Sequence, residues 1–305
     1  MRVVGVTRIQ DEADIVEAFV RHHATLLDLH ILLDGGSTDA TLDILRALRA
    51  EGLAVQVYQT QTPVFVESLL NTGLYRLALK EGADWVIFLD TDEFLAVRGA
   101  DRPAEVLAIA PPGVPCLRLL AYRYMPPITG LVRREARPQM PKIAARRLEP
   151  ARITIYAGNH GAYVDGAYDA GLSQDRLFLA HVPDRDPLQI ARRAILARMR
   201  AIASGQAIGD DASQHCAPAV DALKRDPRAW LAQAMAEPDG LVEDPVPYRG
   251  GPLVHTPEPD ELARLLMILA ARTEALARSH GRILDRKRLI KKEMMDDARR
   301  VVRLF

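Results

Sequence analysis

The chain has 305 residues, 49% hydrophobic and 26% charged, the balance of a soluble globular protein with one sizeable α/β domain, alone or with a helical appendage. Forty basic and forty acidic residues cancel, so no global field argues for a nucleic-acid partner. Two cysteines, Cys116 and Cys216, lie far apart and outside any CxxC pattern, which excludes a cysteine-built zinc site and a disulfide scaffold and points to a reducing compartment.

The opening run Val3-Val4-Gly5-Val6 predicts a first strand. A helical pattern follows from Asp11, with Ile15, Phe19 and Leu26/Leu27 at helical spacing. His30-Ile31-Leu32-Leu33 predicts a second strand ending at Asp34. Ser37 or Thr38 is then placed to cap a helix lined by Leu42, Leu45 and Leu48. Leu53 to Tyr58 predicts a third strand, and Leu69 to Leu79 a helix stopped by Gly82. Trp85 to Leu89, the most apolar strand, ends at Asp90.

Strands this uniformly apolar are covered on both faces, so the sheet is expected to be mostly parallel and flanked by helices. The second half is less regular, with strand-like runs at Cys116 to Tyr124, Ile153 to Tyr156 and Leu177 to His181, and a strong helix over residues 187 to 204. A Pro-rich loop from Pro238 to Pro259 and one or two long helices to Phe305, interrupted near Gly281, complete the expected order. The expected domains are 1–205, divided into a nucleotide half (1–110) and an acceptor half (111–205), and a helical C-terminal extension (206–305). No apolar run approaches the ~18 residues of a membrane span or the core of a signal peptide, so a cytoplasmic protein is expected. From Arg282 onward nine Lys/Arg face four acids, so peripheral contact with an anionic inner membrane face is a further expectation, set against a solvated helix with internal ion pairs.

Three segments carry chemistry. Asp90-Thr91-Asp92-Glu93 places three carboxylates in four residues directly after a buried strand. Their mutual repulsion calls for a positive partner, and a hard cation such as Mg²⁺ or Mn²⁺ suits carboxylate oxygens while leaving positions for substrate phosphates. In extended backbone Asp90 and Asp92 point to one side and Glu93 to the other. Asp34-Gly35-Gly36-Ser37-Thr38-Asp39 leaves backbone N–H groups near a ligand, with an aspartate able to accept from a ribose or a base. Thr7 to Glu12 puts further polar groups after the first strand. In open α/β sheets ligands bind beyond the carboxyl ends of the strands, where all three segments fall.

The order and spacing of Asp11-Glu12-Ala13-Asp14-Ile15-Val16-Glu17 with His22-His23, Asp34 to Thr41, and Asp84-Trp85 to Phe94 resemble family-2-like glycosyltransferases of the GT-A fold. The closest pattern is the subgroup with NEADI…HH, D-x-x-STD-x-T and DW-x-x-FLD-x-DEF motifs. The match is good over residues 1 to 100 and thins through residue 200, and Asp11 stands where the pattern usually has asparagine. The resemblance implies glycosyl transfer with inversion from a nucleotide-diphosphate-sugar to a glycan or lipid-linked acceptor, with Mn²⁺ or Mg²⁺. It implies that Asp34, with Asp11, Glu12, Ser37 and Asp39, lines the nucleoside pocket. Asp90 would lie near ribose and metal, and Asp92 would bind the metal directly. A later histidine would complete the shell, with His160 favoured over His181. Glu93 and Asp165 are alternatives for the base that deprotonates the acceptor, and Lys142, Arg146 and Arg147 are candidate cations near the diphosphate. Two rival readings are a sugar-phosphate nucleotidylyltransferase, disfavoured because no glycine cluster follows the first strand, and a non-catalytic glycan- or partner-binding module, disfavoured by the intact Asp90/Asp92 pair.

Overall fold

The computed structural model describes residues 1–60, 66–204, 216–234, 236–258, 260–285 and 301–305. In chain order the elements are β1 (Val3–Ile9), α1 (Val16–Ala24), β2 (Leu29–Asp34), α2 (Thr41–Ala50), β3 (Val55–Thr60), α3 (Glu67–Lys80), β4 (Trp85–Leu89) and β5 (Glu93–Val97). Then follow α4 (Pro103–Ala108), β6 (Cys116–Tyr124), β7 (Arg133–Arg146), β8 (Ile153–Ile155), β9 (Ala162–Val164), β10 (Ala167–Asp169) and β11 (Leu172–His181). The last are α5 (Pro187–Ser204), α6 (Cys216–Arg225), α7 (Pro227–Ala234), β12 (Leu241–Glu243), α8 (Glu261–Asp285) and β13 (Val301–Arg303).

One sheet runs β13-β3-β2-β1-β4-β7-β6-β11-β5, with β12 also paired to β7. Strands β3, β2, β1 and β4 are parallel. Beyond β4 the sheet turns antiparallel, apart from the parallel β6–β11 pair. This is the expected α/β architecture, helices covering both faces. Successive side chains along a strand serve opposite layers. Val3 and Ile9 of β1 join Leu32, Phe19, Leu45 and Leu48 on the α1/α2 side. Val4 and Val6 join Ile31, Leu33, Leu74, Tyr75 and Phe88 on the α3 side. Each large side chain buried in this way contributes roughly 1.5–3 kcal/mol.

His22, His23 and His30 belong to that core. They lie against Phe19 and Phe94 with ring centroids 4.5–6.1 Å apart. His22 Nε2–H donates to the Leu95 carbonyl (2.9 Å) while its Nδ1 accepts from Arg249 N–H (3.2 Å). His23 Nδ1–H donates to the Phe19 carbonyl (2.7 Å), and its Nε2 accepts from Leu95 N–H (3.1 Å). Each ring therefore needs one donor and one acceptor nitrogen, the neutral form. Burial pushes His22 down to about 4 and His30 to about 3, and His23 well below the ordinary value.

Several local expectations are corrected. The first helix begins at Val16, five residues after Asp11, which has a positive φ of 58°. Ser37 and Thr38 do not cap α2; the Asp39 carboxylate accepts from Thr41 N–H (3.0 Å) at that helix start. The last described helix, α8, runs through Gly281 to Asp285, and the chain ends not as helix but as β13, antiparallel to β3. Strands β12 and β13 thus bring the C-terminal region onto the sheet at two places. Most of the basic stretch considered for membrane contact, 286–300, lies outside the described residues. Among the described residues no helix is long and apolar enough to cross a membrane.

Candidate active site

Parallel pairing brings the ends of β1, β2 and β4 to one edge: Ile9 is level with Asp34, and Thr7 with Leu89. Two acidic loops emerge there.

The first loop is closed on itself. Asp34 is fully buried and accepts from Gly36 N–H (2.9 Å), Ser37 N–H (3.0 Å), the Ser37 hydroxyl (2.6 Å) and Gln59 Nε2 (2.9 Å). The Ser37 oxygen in turn accepts from Asp11 N–H (2.9 Å). Asp11, also fully buried, accepts from Thr38 N–H (2.6 Å) and from Arg272 of α8 (2.8 Å). Asp39 accepts from Ala13 N–H (3.1 Å) and from Arg264 of α8 (3.0 Å). Glu12 pairs with Arg185 (2.8 Å). Burial raises its pKa, and the arginines only partly offset that. All five residues expected at a nucleoside pocket therefore meet at one place, joined to one another and to arginines of the second half.

The second loop is held differently. After β4 a tight turn, with Glu93 N–H donating to the Asp90 carbonyl (3.0 Å), starts β5. Strand β5 pairs with β11 in a register that sets His181 opposite Glu93. His181 Nε2 consequently lies 3.5 Å from Asp92 Oδ1, and Arg193 of α5 lies 2.8 Å from Asp92 Oδ2. Strand β7 runs back beside β4, and its buried Lys142 reaches Asp90 at 2.6 Å and Glu93 at 3.8 Å. Glu93, itself buried, accepts from Asp90 N–H (2.8 Å) and so fixes the turn.

The electrostatics follow from this packing. Burial works against ionisation of Asp92, but Arg193 and His181 hold its carboxyl well below the usual range. Burial acts on Asp90 in the same sense, and Lys142 outweighs it. Burial pushes Glu93 up to about 7. Burial would lower His181, and Asp92 reverses that, leaving it above the ordinary histidine value.

The donor set fits a hard cation at Asp92. His181 Nδ1 lies 2.5 Å from the carbonyl oxygen of the Gln139 side chain and donates to it, so in the neutral ring Nε2 presents a lone pair toward Asp92. A lone pair facing a carboxylate requires a cation between them, a proton or a metal. Their 3.5 Å separation is close to the roughly 3 Å between neighbouring ligands of an octahedral ion with 2.1 Å bonds. Among the described residues no group of three or more His, Cys, Asp or Glu could hold an ion on its own. Mg²⁺-type sites commonly take one or two protein ligands and fill the shell with phosphate and water.

Other expected residues lie elsewhere. His160 Nδ1 donates to the Pro141 carbonyl (2.7 Å), and its ring folds over Gly158, where a Cβ would stand 2.4 Å from Nε2. His181 is the histidine that faces Asp92. Asp165 sits in the exposed β9–β10 turn, paired with Arg152 (2.9 and 2.5 Å). Arg146 stacks on Trp85 and Arg147 bonds the Leu79 and Ala83 carbonyls, at the opposite edge of the sheet. Of the three candidate cations only Lys142 is at the site. The sequence places Arg193 only within the helix over residues 187 to 204 and not at the site. Its distance along the chain from Asp92 hides the pairing; the nearest clue is the arginine-rich start of a helix closely following His181. Arg8, which the sequence places only among the polar groups after the first strand, reaches Glu67 at 2.5 Å, and Glu67 in turn accepts from Gly158 N–H (2.7 Å).

No family model and no curated protein matches this chain. Among solved structures it is similar to a mannosyltransferase from Pyrobaculum calidifontis in complex with GDP-Man and Mn²⁺, at 16% identity over 97% of this chain and 84% of that one, TM-score 0.39. It is similar to S. aureus TarS 1–349 in complex with UDP, at 14% identity, TM-score 0.35, covering 65% of each chain, so it spans just under two thirds of that structure. A third likeness is glucosyl-3-phosphoglycerate synthase from Mycobacterium tuberculosis in complex with Mn²⁺, UDP and glucosyl-3-phosphoglycerate, at 16% identity over 68% of this chain and 79% of that one, TM-score 0.34. Likenesses this distant assign no residue a role here.

Proposed function

We propose that the chain is a glycosyltransferase that moves a sugar from a nucleotide-diphosphate-sugar to a glycan or lipid-linked acceptor, with a divalent cation and inversion at the anomeric carbon. The observation that carries this reading is the Asp92–His181 pair at the carboxyl edge of the most buried strand, beside Asp90 and among Lys142, Arg193 and Arg8. Acids that face a hard cation, surrounded by basic side chains, suit a diphosphate better than any neutral ligand.

Asp92 and His181 would hold the cation, with Asp90 next to it. Bound there, Mn²⁺ or Mg²⁺ would act as a Lewis acid toward the charge that grows on the departing diphosphate. The chain's own cations work toward the same end: Arg193 and Lys142 can exchange a carboxylate for a phosphate oxygen without crossing the site. Asp34 shapes the Gly36–Ser37 turn at the strand edge where the nucleoside would lie. Glu93 is the carboxylate at the site suited to accept a proton, whereas Asp165 is tied to Arg152 at the exposed β9–β10 turn.

The test is calorimetry of the full chain with UDP and GDP in the presence of Mn²⁺. Binding is expected to depend on the metal, and Asp92→Asn is expected to weaken it at least about 100-fold, near 2.7 kcal/mol. Unchanged Mn²⁺-dependent binding in a folded Asp92→Asn variant overturns the assignment.

A further inference from the structure

The three-stranded sheet β10-β9-β8 is inserted between β7 and β11 and has two unlike faces. Its inner face packs on α3: Ile153, Ile155 and Ala162 are buried. Ile155 N–H donates to the Thr72 hydroxyl (3.0 Å), and the Ser68 hydroxyl donates to the Ile155 carbonyl (2.6 Å). The outer face carries Thr154, Tyr163 and Tyr168 in one row, since the register sets Thr154 beside Tyr163 and Tyr163 beside Tyr168. Tyr156, two residues beyond Thr154, joins them. The three rings lie 5.6–6.1 Å apart in edge-to-face contact. They remain 42%, 42% and 50% exposed.

This face adjoins the acidic site through one loop. The Tyr168 hydroxyl donates to the His160 carbonyl (3.3 Å), and Tyr156 N–H donates to the Gly161 carbonyl (2.9 Å). Within the same loop the Gly158 carbonyl accepts from Lys142 (2.9 Å), the ammonium that pairs with Asp90. Gly161 is what lets Tyr168 lie down on the loop, because a Cβ there would stand 2.6 Å from the phenol oxygen.

We propose that this tyrosine face is the acceptor subsite, and that it takes a sugar ring of a glycan. The proposal rests on the glycosyl-transfer reading and gives its acceptor a chemical class. Exposed aromatic side chains clustered on one face mark a binding surface. An acyl chain or an apolar helix would be matched by leucine, isoleucine and phenylalanine. Here each outward residue of the patch bears a hydroxyl. A pyranose has the same dual character: a C–H face that lies on an aromatic ring and a rim of hydroxyls that bond phenols. The loop then holds the ring next to Lys142 and Asp90, at the edge where the donor sugar would arrive.

The experiment compares the full chain with two triple variants on a printed glycan array, with UDP and GDP calorimetry and melting measured on the same samples. The parent is expected to retain a subset of the glycans. Tyr156→Ala/Tyr163→Ala/Tyr168→Ala is expected to lose at least about tenfold in that binding, with nucleotide binding and melting kept. The corresponding triple Tyr→Phe variant, which keeps the ring faces and loses the phenol hydroxyls, is expected to fall between the two, about three- to fivefold below the parent. A folded triple alanine variant that binds glycans as well as the parent overturns the proposal. So does a parent that binds nucleotide diphosphate but no glycan, or one that instead pellets with phosphatidylglycerol vesicles through these tyrosines. A parent that binds no nucleotide diphosphate at all overturns the donor-site reading on which the proposal rests.

Discussion

The two acidic loops at the strand edge have similar composition and opposite construction. In the Asp34 loop Asp34 is engaged entirely by short, fixed donors, backbone N–H groups, the Ser37 hydroxyl and the amide of Gln59, and Asp11 and Asp39 each accept from backbone N–H groups as well. Its remaining partners, Arg264 and Arg272, come from α8 and bind this loop to the C-terminal helix. In the Asp90–Asp92 turn the carboxylates face the ends of long cations, Lys142 and Arg193, and one histidine. A donor fixed in the backbone shapes a surface, whereas a cation on a flexible stem can yield its carboxylate to a metal or its charge to a phosphate. The same residue type thus builds a scaffold in one loop and a reaction centre in the other.

Substitutions can break this contrast. The largest effect is expected from Asp11→Ala, which strips a buried carboxylate from Thr38 and leaves Arg272 without its carboxylate partner. Urea unfolding should show a loss of about 3–5 kcal/mol. If Asp11→Ala were as stable as the parent and lost only nucleotide binding, the two loops would not differ as described.

In the second loop the two histidines should separate. His181→Ala is expected to weaken Mn²⁺-dependent binding of UDP or GDP at least about tenfold, while His160→Ala leaves the metal requirement in place. Equal effects in the two variants would remove His181 from its place beside Asp92.

The smallest effect concerns the histidine core behind both loops. His22, His23 and His30 are neutral when folded, with pKa values lowered by burial. The unfolded chain takes up protons below about pH 6.5 that the folded chain does not, so these three groups make stability fall as pH falls from 6.5 toward 4. Glu93 and His181 have raised pKa values and act in the opposite sense, which makes a variant-against-parent comparison the useful one. His30→Gln, which keeps a partner for the Thr7 hydroxyl, is expected to reduce the stability lost between pH 7.5 and 5.5 by about 1.4 kcal/mol. An identical pH dependence in the two proteins would place a charged His30 in the folded state.

The sequence alone determined the first half well, because its strands are short uniform apolar runs and each ends at a polar residue. Strand β4 and the later strand β6 have the bounds that their apolar runs predict. Asp34 and Asp90 were placed at one edge by strand direction alone. The His22-His23 pair was legible as a motif, but its neutral state in the core depends on Leu95 and Arg249, contacts that no local pattern encodes.

The partners of these residues come from packing between distant segments. His181 meets Asp92 because β5 and β11 pair in one register; Lys142 meets Asp90 because β7 runs beside β4. Arg193, Arg264 and Arg272 reach their carboxylates from helices more than a hundred residues further on. Periodicity records which face of an element is buried, since that depends on each residue's own neighbours in the chain. It records nothing of which distant charge arrives on the other side, and the chemistry of both loops is set by those arrivals.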